Sequence, residues 1–302
     1  MPDFPTQRFS HPNRRELLKQ LGVGSLLATA GLSSFTNKSN EIAPLKGNIN
    51  HSVCSWTYGF LSLSQLCDVA LSMGLRAIDL VKPADFPILK EKNLDCSMCY
   101  TAGETSLTKG FNDKKHHDWL VNDYLDAIPL VANAGYKNLI CFSGNRNGMD
   151  DETGLNNCKE GLQKVLGKAE RYGVTLQMEL FNSKVDHKDY MADRSSWGIE
   201  LCKRIGSPNF KLLYDIYHMQ VNEGDVIRTI QDHHPWFGHY HTAGVPGRHE
   251  IDETQELFYP AIMRAIVATG FKGYVAQEFI SIKKDPQEKI DSLRKAIQIC
   301  DI

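Results

Sequence analysis

From Thr175 the chain reads Thr-Leu-Gln-Met-Glu-Leu, ending at Leu180. Gln177 and Glu179 alternate there with Leu176, Met178 and Leu180. Successive side chains of a strand point to opposite faces, so the three apolar residues share one face and the two polar ones the other. The apolar face can pack on helices, and the carboxylate then points into the mouth of a barrel. Three later runs end in the same manner: KLLYD closes on Asp215, GHYH on His241, and GYVAQEF passes through Glu278. A parallel barrel gathers its chemistry at the C-terminal ends of its strands, so a charged residue that closes an apolar run marks the place to look.

Outward from these runs the chain is regular. Short apolar segments rich in β-branched and aromatic residues predict strands at Ile49–Trp56, Arg76–Leu80, Leu94–Tyr100, Asn138–Phe142, Thr175–Leu180, Phe210–Asp215, Gly238–His241 and Gly273–Glu278. Between them, apolar residues at i, i+3 or i+4 predict helices at Leu63–Met73, Asp85–Lys92, His116–Ala134, Asn156–Tyr172, Ser195–Ile205, Asp225–His233, Gln255–Thr269 and Pro286–Ile299. Gly74, Gly135, Gly173, Gly206 and Gly270 fall at helix ends, where a left-handed residue closes the last turn. Eight βα units over residues 49–302, with no G-x-G-x-x-G and no P-loop, fit an α/β chain folded as a closed (β/α)8 TIM barrel better than an open doubly wound sheet.

The N-terminus has a different character. Arg14-Arg15 precedes an uncharged stretch rich in Leu, Gly and Ala from Leu21 to Leu32, with small residues at Ala28-Thr29-Ala30. Residues 1–30 are therefore expected to be a twin-arginine signal peptide, read by the twin-arginine translocase, which places the mature protein in the periplasm or otherwise outside the cytoplasm. Residues 31–48, polar and without a core face, form a linker before the barrel. The net charge is -2 for the whole chain, and loss of residues 1–30 removes four basic and two acidic residues, leaving a mildly acidic protein. Interspersed charge gives no footprint for a nucleic-acid backbone, so a small polar substrate is the expected partner, and a homo-oligomer stays open. The eight cysteines are irregularly spaced, mostly within apolar segments, and read as buried hydrophobes. Cys96 and Cys99 have C-x-x-C spacing but no second pair to complete a zinc site.

Two Glu, one Asp and one His from successive strands make a mixed oxygen and nitrogen donor set. Glu179, Asp215, His241 and Glu278 thus suit one divalent cation such as Mn, Mg, Co or Zn. Singly, each would also mark where solvent begins; four in a row argue for convergence.

The strings ELFNSKVDH from Glu179, LLYDIYHMQ ending at Gln220 and HTAGVPGRHE from His241 resemble the hydroxypyruvate isomerase branch of the xylose isomerase-like TIM barrels. The resemblance runs from about Ser52 to the C-terminus. It implies that Glu179, Asp215, His241 and Glu278 hold the metal, that Glu179 and Glu278 carry the proton steps, and that His218 and Arg248 bind substrate oxygens. It implies further an isomerase that interconverts a small ketose or keto acid and its aldose or aldehyde isomer through an enediolate. Three departures bear on the substrate: His241 stands where that branch commonly has Gln, IDETQE follows PGRHE in place of a glycine-containing stretch, and Val185 stands where ketose 3-epimerases offer another Glu. A ketose 3-epimerase and a non-catalytic periplasmic sugar-binding barrel are the alternative readings. The DNA-binding relative endonuclease IV would want a richer ligand cluster and a basic face. Trp56, Tyr58 and Phe60 are candidates for the pocket wall, His239 for a supporting role behind His241, and His187 and His249 are expected as solvated loop residues.

Overall fold

A computed structural model describes residues 44–302 apart from Thr105. The expected signal peptide, residues 1–30, and nearly all of the expected linker, residues 31–48, lie outside the described residues. Eight parallel strands close in chain order: β1 Asn50–Cys54, β2 Ala77–Val81, β3 Asp95–Cys99, β4 Asn138–Cys141, β5 Thr175–Glu179, β6 Phe210–Asp215, β7 Phe237–Thr242 and β8 Tyr274–Gln277. β8 completes the ring by pairing with β1, Asn50 opposite Tyr274 and Val53 opposite Gln277. The expected (β/α)8 barrel is the observed fold.

Nine α-helices are described: α1 Leu63–Ser72, α2 Phe86–Glu91, α3 His117–Asn133, α4 Asp151–Tyr172, α5 Ser195–Ile205, α6 Ile216–Asn222, α7 Val226–His233, α8 Tyr259–Ala268 and α9 Pro286–Cys300. Each starts or stops for a local reason. Ser62 and Gln65 form a reciprocal capping box at α1, and Asp150 caps α4 by accepting from Thr153 N at 2.9 Å. That cap starts α4 at Asp151, one turn ahead of the expected Asn156. The five glycines expected at helix ends all have positive φ, from 66° at Gly173 to 81° at Gly74. At α8 the helix begins at Tyr259 and not at Gln255, because Gln255 binds the backbone of Leu257 with both ends of its amide and holds the chain in a turn.

The short α6 has no counterpart in the expected elements. It begins directly at the end of β6, where Asp215 is the N-cap and its Oδ1 accepts from His218 N at 3.1 Å. Leu176, Met178 and Leu180 are buried as the alternation requires, and Gln177, on the inward face, donates to Asn138 Oδ1 at 2.9 Å. All eight cysteines are free and buried. At the opposite end of the barrel from the strand C-termini, the two ends of the domain meet. Lys46 N donates to Asp301 Oδ2 at 2.9 Å, and Asn48 Nδ2 donates to the Ile302 carbonyl at 2.8 Å. Among the described residues no helix is long and apolar enough to cross a membrane.

Candidate active site

The four strand-end residues converge. Glu179 ends β5, Asp215 ends β6, His241 is the penultimate residue of β7, and Glu278 follows β8, its N–H extending the ladder to the Thr242 carbonyl at 2.9 Å. One ligand atom from each lies within 4.8 Å of every other, and all four residues are buried. His241 Nδ1 sits between two carboxylates, 3.1 Å from Glu179 Oε1 and 2.8 Å from Glu278 Oε2. Arg248 reaches the cluster from the β7–α8 loop, paired with Glu278 and 3.5 Å from Asp215 Oδ2. Trp56 Nε1 donates to the other oxygen of Glu278 at 2.8 Å.

His218 joins the site from α6. Its ring lies against Phe181, with Asn182 Nδ2 2.7 Å from Nδ1, while Nε2 is buried without a partner 3.6 Å from Asp215 Oδ2. Arg248 Nε is likewise buried and unpartnered. Unmet buried donors of this kind are costly in isolation and suit a ligand that brings its own oxygens.

Protonation follows from burial and neighbours. Burial, reinforced by the charge of Glu278, pushes the Glu179 carboxyl up to about 8. Burial also acts on Glu278, but Arg248 and His241 outweigh it and hold that carboxyl well below the usual range. Asp215 is pushed up to about 6 by burial despite Arg248. Burial, with Arg248 nearby, keeps His218 neutral. Two neighbouring carboxyls with opposite protonation preferences are the arrangement that acid–base chemistry needs.

The residues fit a divalent cation on charge and on donor type. Around the cluster, Glu179, Asp215, Glu278 and the nearby Asp79 are all buried; Arg248 meets Glu278 and Asp215, and His241 meets Asp79, Glu179 and Glu278. Buried carboxylates in such excess call for further positive charge. Three carboxylates and an imidazole are ligands for a hard or borderline divalent ion.

Asp79, on β2, is the residue that the sequence did not disclose. Its run reads AIDLV, an ordinary buried strand with one polar residue. The register between β2 and β3 shifts on either side of Asp79, and Leu80 takes a positive φ of 58°, so the strand bulges at this point. Asp79 Oδ1 lies 3.0 Å from His241 Nε2 and Oδ2 lies 2.9 Å from His239 Nε2. Ser97 donates to the same carboxylate at 2.5 Å. One nitrogen of His241 therefore faces Asp79 while the other faces the cluster.

Above the cluster opens a cavity of about 310 Å³, walled by Trp56, Leu80, Tyr100, Leu107, Phe142 and Phe181 and by the polar Glu179, Glu278, Arg248 and His187. Of the three aromatic residues after β1, Trp56 lines this cavity; Tyr58 is buried and Phe60 is turned to solvent. His187 is not a solvated loop residue: it is partly buried in the wall, 4.5 Å from the Phe181 ring and 5.3 Å from the His218 ring. His249 is exposed as expected.

A family profile for the xylose isomerase-like TIM barrel matches residues 87–298. The chain is 35% identical over 120 residues to the 2-oxo-tetronate isomerase of Cupriavidus necator, a match covering 40% of this chain and 45% of that protein. It is 28% identical over 120 residues to a human protein provisionally named a hydroxypyruvate isomerase, covering 40% of this chain and 43% of the other. The chain thus spans less than half the length of the curated relatives it matches. Among solved structures it is similar to the apo form of a 3-keto-D-glucoside 4-epimerase from E. coli, with a TM-score of 0.70, 16% identity, and coverage of 83% of this chain and 100% of that one. At that identity the likeness is one of fold. The family match spans most of the barrel, including all four converging residues, and the chain belongs to the xylose isomerase-like TIM barrel family.

Proposed function

We propose that this protein is a metal-dependent isomerase or epimerase of a small hydroxy ketone or keto acid, in the manner of hydroxypyruvate isomerase and its epimerase relatives. It removes a proton from the carbon beside the carbonyl and returns one to the neighbouring carbon or to the other face of the same carbon. The observation that carries the reading is the placement of Glu179 and Glu278 on either side of His241 Nδ1, 3.1 and 2.8 Å away, beneath a cavity of substrate size.

Glu179, Asp215, His241 and Glu278 would hold the ion. A divalent cation bound there would supply positive charge to oppose the negative charge that develops on the substrate oxygens. The remaining work belongs to side chains. One of Glu179 and Glu278 removes the C–H proton beside the carbonyl. For isomerisation the hydroxyl proton on that carbon passes to the former carbonyl oxygen and a proton is returned to the neighbouring carbon. For epimerisation the other carboxyl returns a proton to the opposite face of the same carbon. Arg248 and the unpartnered Nε2 of His218 donate to the oxygens and hold them in register with the two carboxyls. Trp56, Phe142 and Phe181 keep water from the reacting carbons.

The reading includes export. Residues 1–30 act as a twin-arginine signal, and the translocase that reads it accepts folded protein, so the site can take up its ion before transport.

The deciding experiment measures metal content and solvent-deuterium incorporation into small ketoses and keto acids. It compares the barrel with Glu179→Gln and Glu278→Gln. Exchange that needs metal and both carboxylates supports the proposal; metal binding without exchange from any candidate leaves a binding protein.

A further inference from the structure

We infer that Asn182 is a positioning residue of this site: its side-chain amide fixes His218 as the tautomer with the proton on Nε2, so that His218 meets a substrate oxygen only as a donor. The inference rests on the isomerase reading and gives one of its donors a defined form.

Which nitrogen of a neutral imidazole carries the proton is set by the hydrogen bond that the other nitrogen makes. For His218 that bond is to Asn182, whose Nδ2 lies 2.7 Å from Nδ1. The orientation of the Asn182 amide is dictated in turn by groups that allow one arrangement. The backbone N–H groups of Val185 and Asp186 point at its Oδ1, at 3.0 and 2.9 Å, and an N–H only donates. On the other side, the acceptor Asp186 Oδ2 lies 2.6 Å from Nδ2. One amide hydrogen goes to that carboxylate and the second to His218, so Nδ1 offers its lone pair. A proton on Nδ1 would set two donors head to head across the same 2.7 Å. Asp186 Oδ2 is 3.9 Å from Nδ1, too far to accept such a proton in a hydrogen bond.

The ring is held as well as the proton. Its plane stands at 90° to that of Phe181, and the His218 backbone N–H donates to Asp215 Oδ1. Nε2 is left buried without a partner, 3.6 Å from Asp215 Oδ2, and Arg248 lies 3.5 Å from that same oxygen. The two donors thus converge from different elements, α6 and the β7–α8 loop. An imidazole of this form stabilises negative charge as it develops on an oxygen and takes no proton from the substrate. The proton transfers fall to Glu179 and Glu278.

The local sequence separates this role from that of the turn. Asn182 opens the β5–α5 loop, and the turn over Val185 and Asp186 needs only a side-chain oxygen at its first position, which Asp supplies as well as Asn. What Asp lacks is the nitrogen that faces His218.

The test exchanges the two side chains. Asn182→Asp alone would press two carboxylates together, so the main variant combines it with Asp186→Asn. The pair can then still hydrogen-bond, while the group facing Nδ1 becomes an acceptor. In the Mg-loaded protein, long-range 1H–15N NMR distinguishes the protonated ring nitrogen from the bare one, and His218→Gln identifies the signals. Solvent-deuterium exchange into hydroxypyruvate, dihydroxyacetone and ribulose is followed with Mg, Mn, Co and Zn in turn. We expect Nε2–H in the native protein and Nδ1–H in the double variant, with kcat about 100-fold lower and KM little changed. Asp186→Asn alone keeps the Asn182 amide and should keep Nε2–H, which separates the amide from the turn. A native His218 protonated on Nδ1 overturns the inference, and that measurement needs no variant of Asn182. So does a double variant with the native tautomer, or one with the inverted tautomer and unchanged kcat. Exchange from none of the compounds by the native protein overturns the isomerase reading and the donor role with it, whereas the tautomer is decided by NMR in either case.

Discussion

Asp79 and His241 face each other across the barrel interior, Oδ1 to Nε2 at 3.0 Å. Burial disfavours a charged imidazole there, but the flanking carboxylates outweigh it and raise His241 well above its ordinary value in the metal-free fold. A metal ion taken up beside Glu179 and Glu278 would replace the Nδ1 proton, leaving Nε2–H to donate to Asp79. Ligating histidines commonly hold their other nitrogen on a carboxylate, which fixes the ring and raises its basicity.

Asp79→Asn should therefore lower metal affinity by about 10- to 100-fold while the barrel stays folded, and chelator competition with circular dichroism on the same samples measures both. His239, on the other oxygen of Asp79 at 2.9 Å, is expected to show a smaller effect of the same sign in His239→Asn. Unchanged affinity in both variants would remove Asp79 from the metal site.

The carboxyl of Glu179, ordinarily near 4.5, is pushed up to about 8 in the metal-free fold by burial and Glu278. Between those values the folded state holds a proton that the unfolded chain has released, so metal-free stability falls as pH rises. The buried neutral histidines oppose this only below their ordinary value of 6.5. From about pH 6.5 to about pH 8 the metal-free Tm should drop by roughly 2 to 6 °C. Metal must displace the proton, so the Tm gained on adding metal should grow over the same interval. Thermal melts with and without metal test the sign.

Glu179→Gln separates stability from function. It removes one buried like charge, so the metal-free protein should gain about 1 to 2 kcal/mol at pH 8 in urea titrations. The same variant should bind metal more weakly and lose proton exchange by about a thousandfold. A metal-free protein that is destabilised instead would mean that the carboxylate is well paired as it stands.

Gly110 has no room for a side chain. A Cβ there would lie 2.2 Å from the Ser143 carbonyl carbon and 2.3 Å from Gly144 N. This contact seats the loop that carries Leu107 against the end of β4. Gly110→Ala should cost about 1 to 3 kcal/mol and loosen the cavity wall, seen as a rise in KM larger than the fall in kcat.

Export makes a separate prediction. A reporter fused after residue 48 should leave the cytoplasm with the native leader and stay inside when Arg14 and Arg15 are both Lys, as cell fractionation would show.

Much of this site could be read from the chain because parallel barrels write it in a regular place. Glu179, Asp215, His241 and Glu278 each close an apolar run, and the fold then brings strand ends together. What escaped reading was set by local irregularity. Asp79 lies within β2, and only the bulge at Leu80 and the register shift beside it distinguish that strand. His187 reaches the cavity because the β5–α5 loop folds back over Phe181, a path with no periodicity to betray it. The helix α6 is a single cap-driven extension of β6, too short for a helical pattern to stand out.

The meeting of Lys46 and Asn48 with Asp301 and Ile302 leaves the barrel without a privileged starting point. A short peptide joining those ends would turn the domain into a continuous loop of βα units, and the loop could be cut between any helix and the next strand on the same side. Such a rearranged chain would list Glu179, Asp215, His241 and Glu278 in a new order yet set them around the same point. The chemistry of this domain belongs to the order of strands around the ring, and the position of its termini is incidental to it.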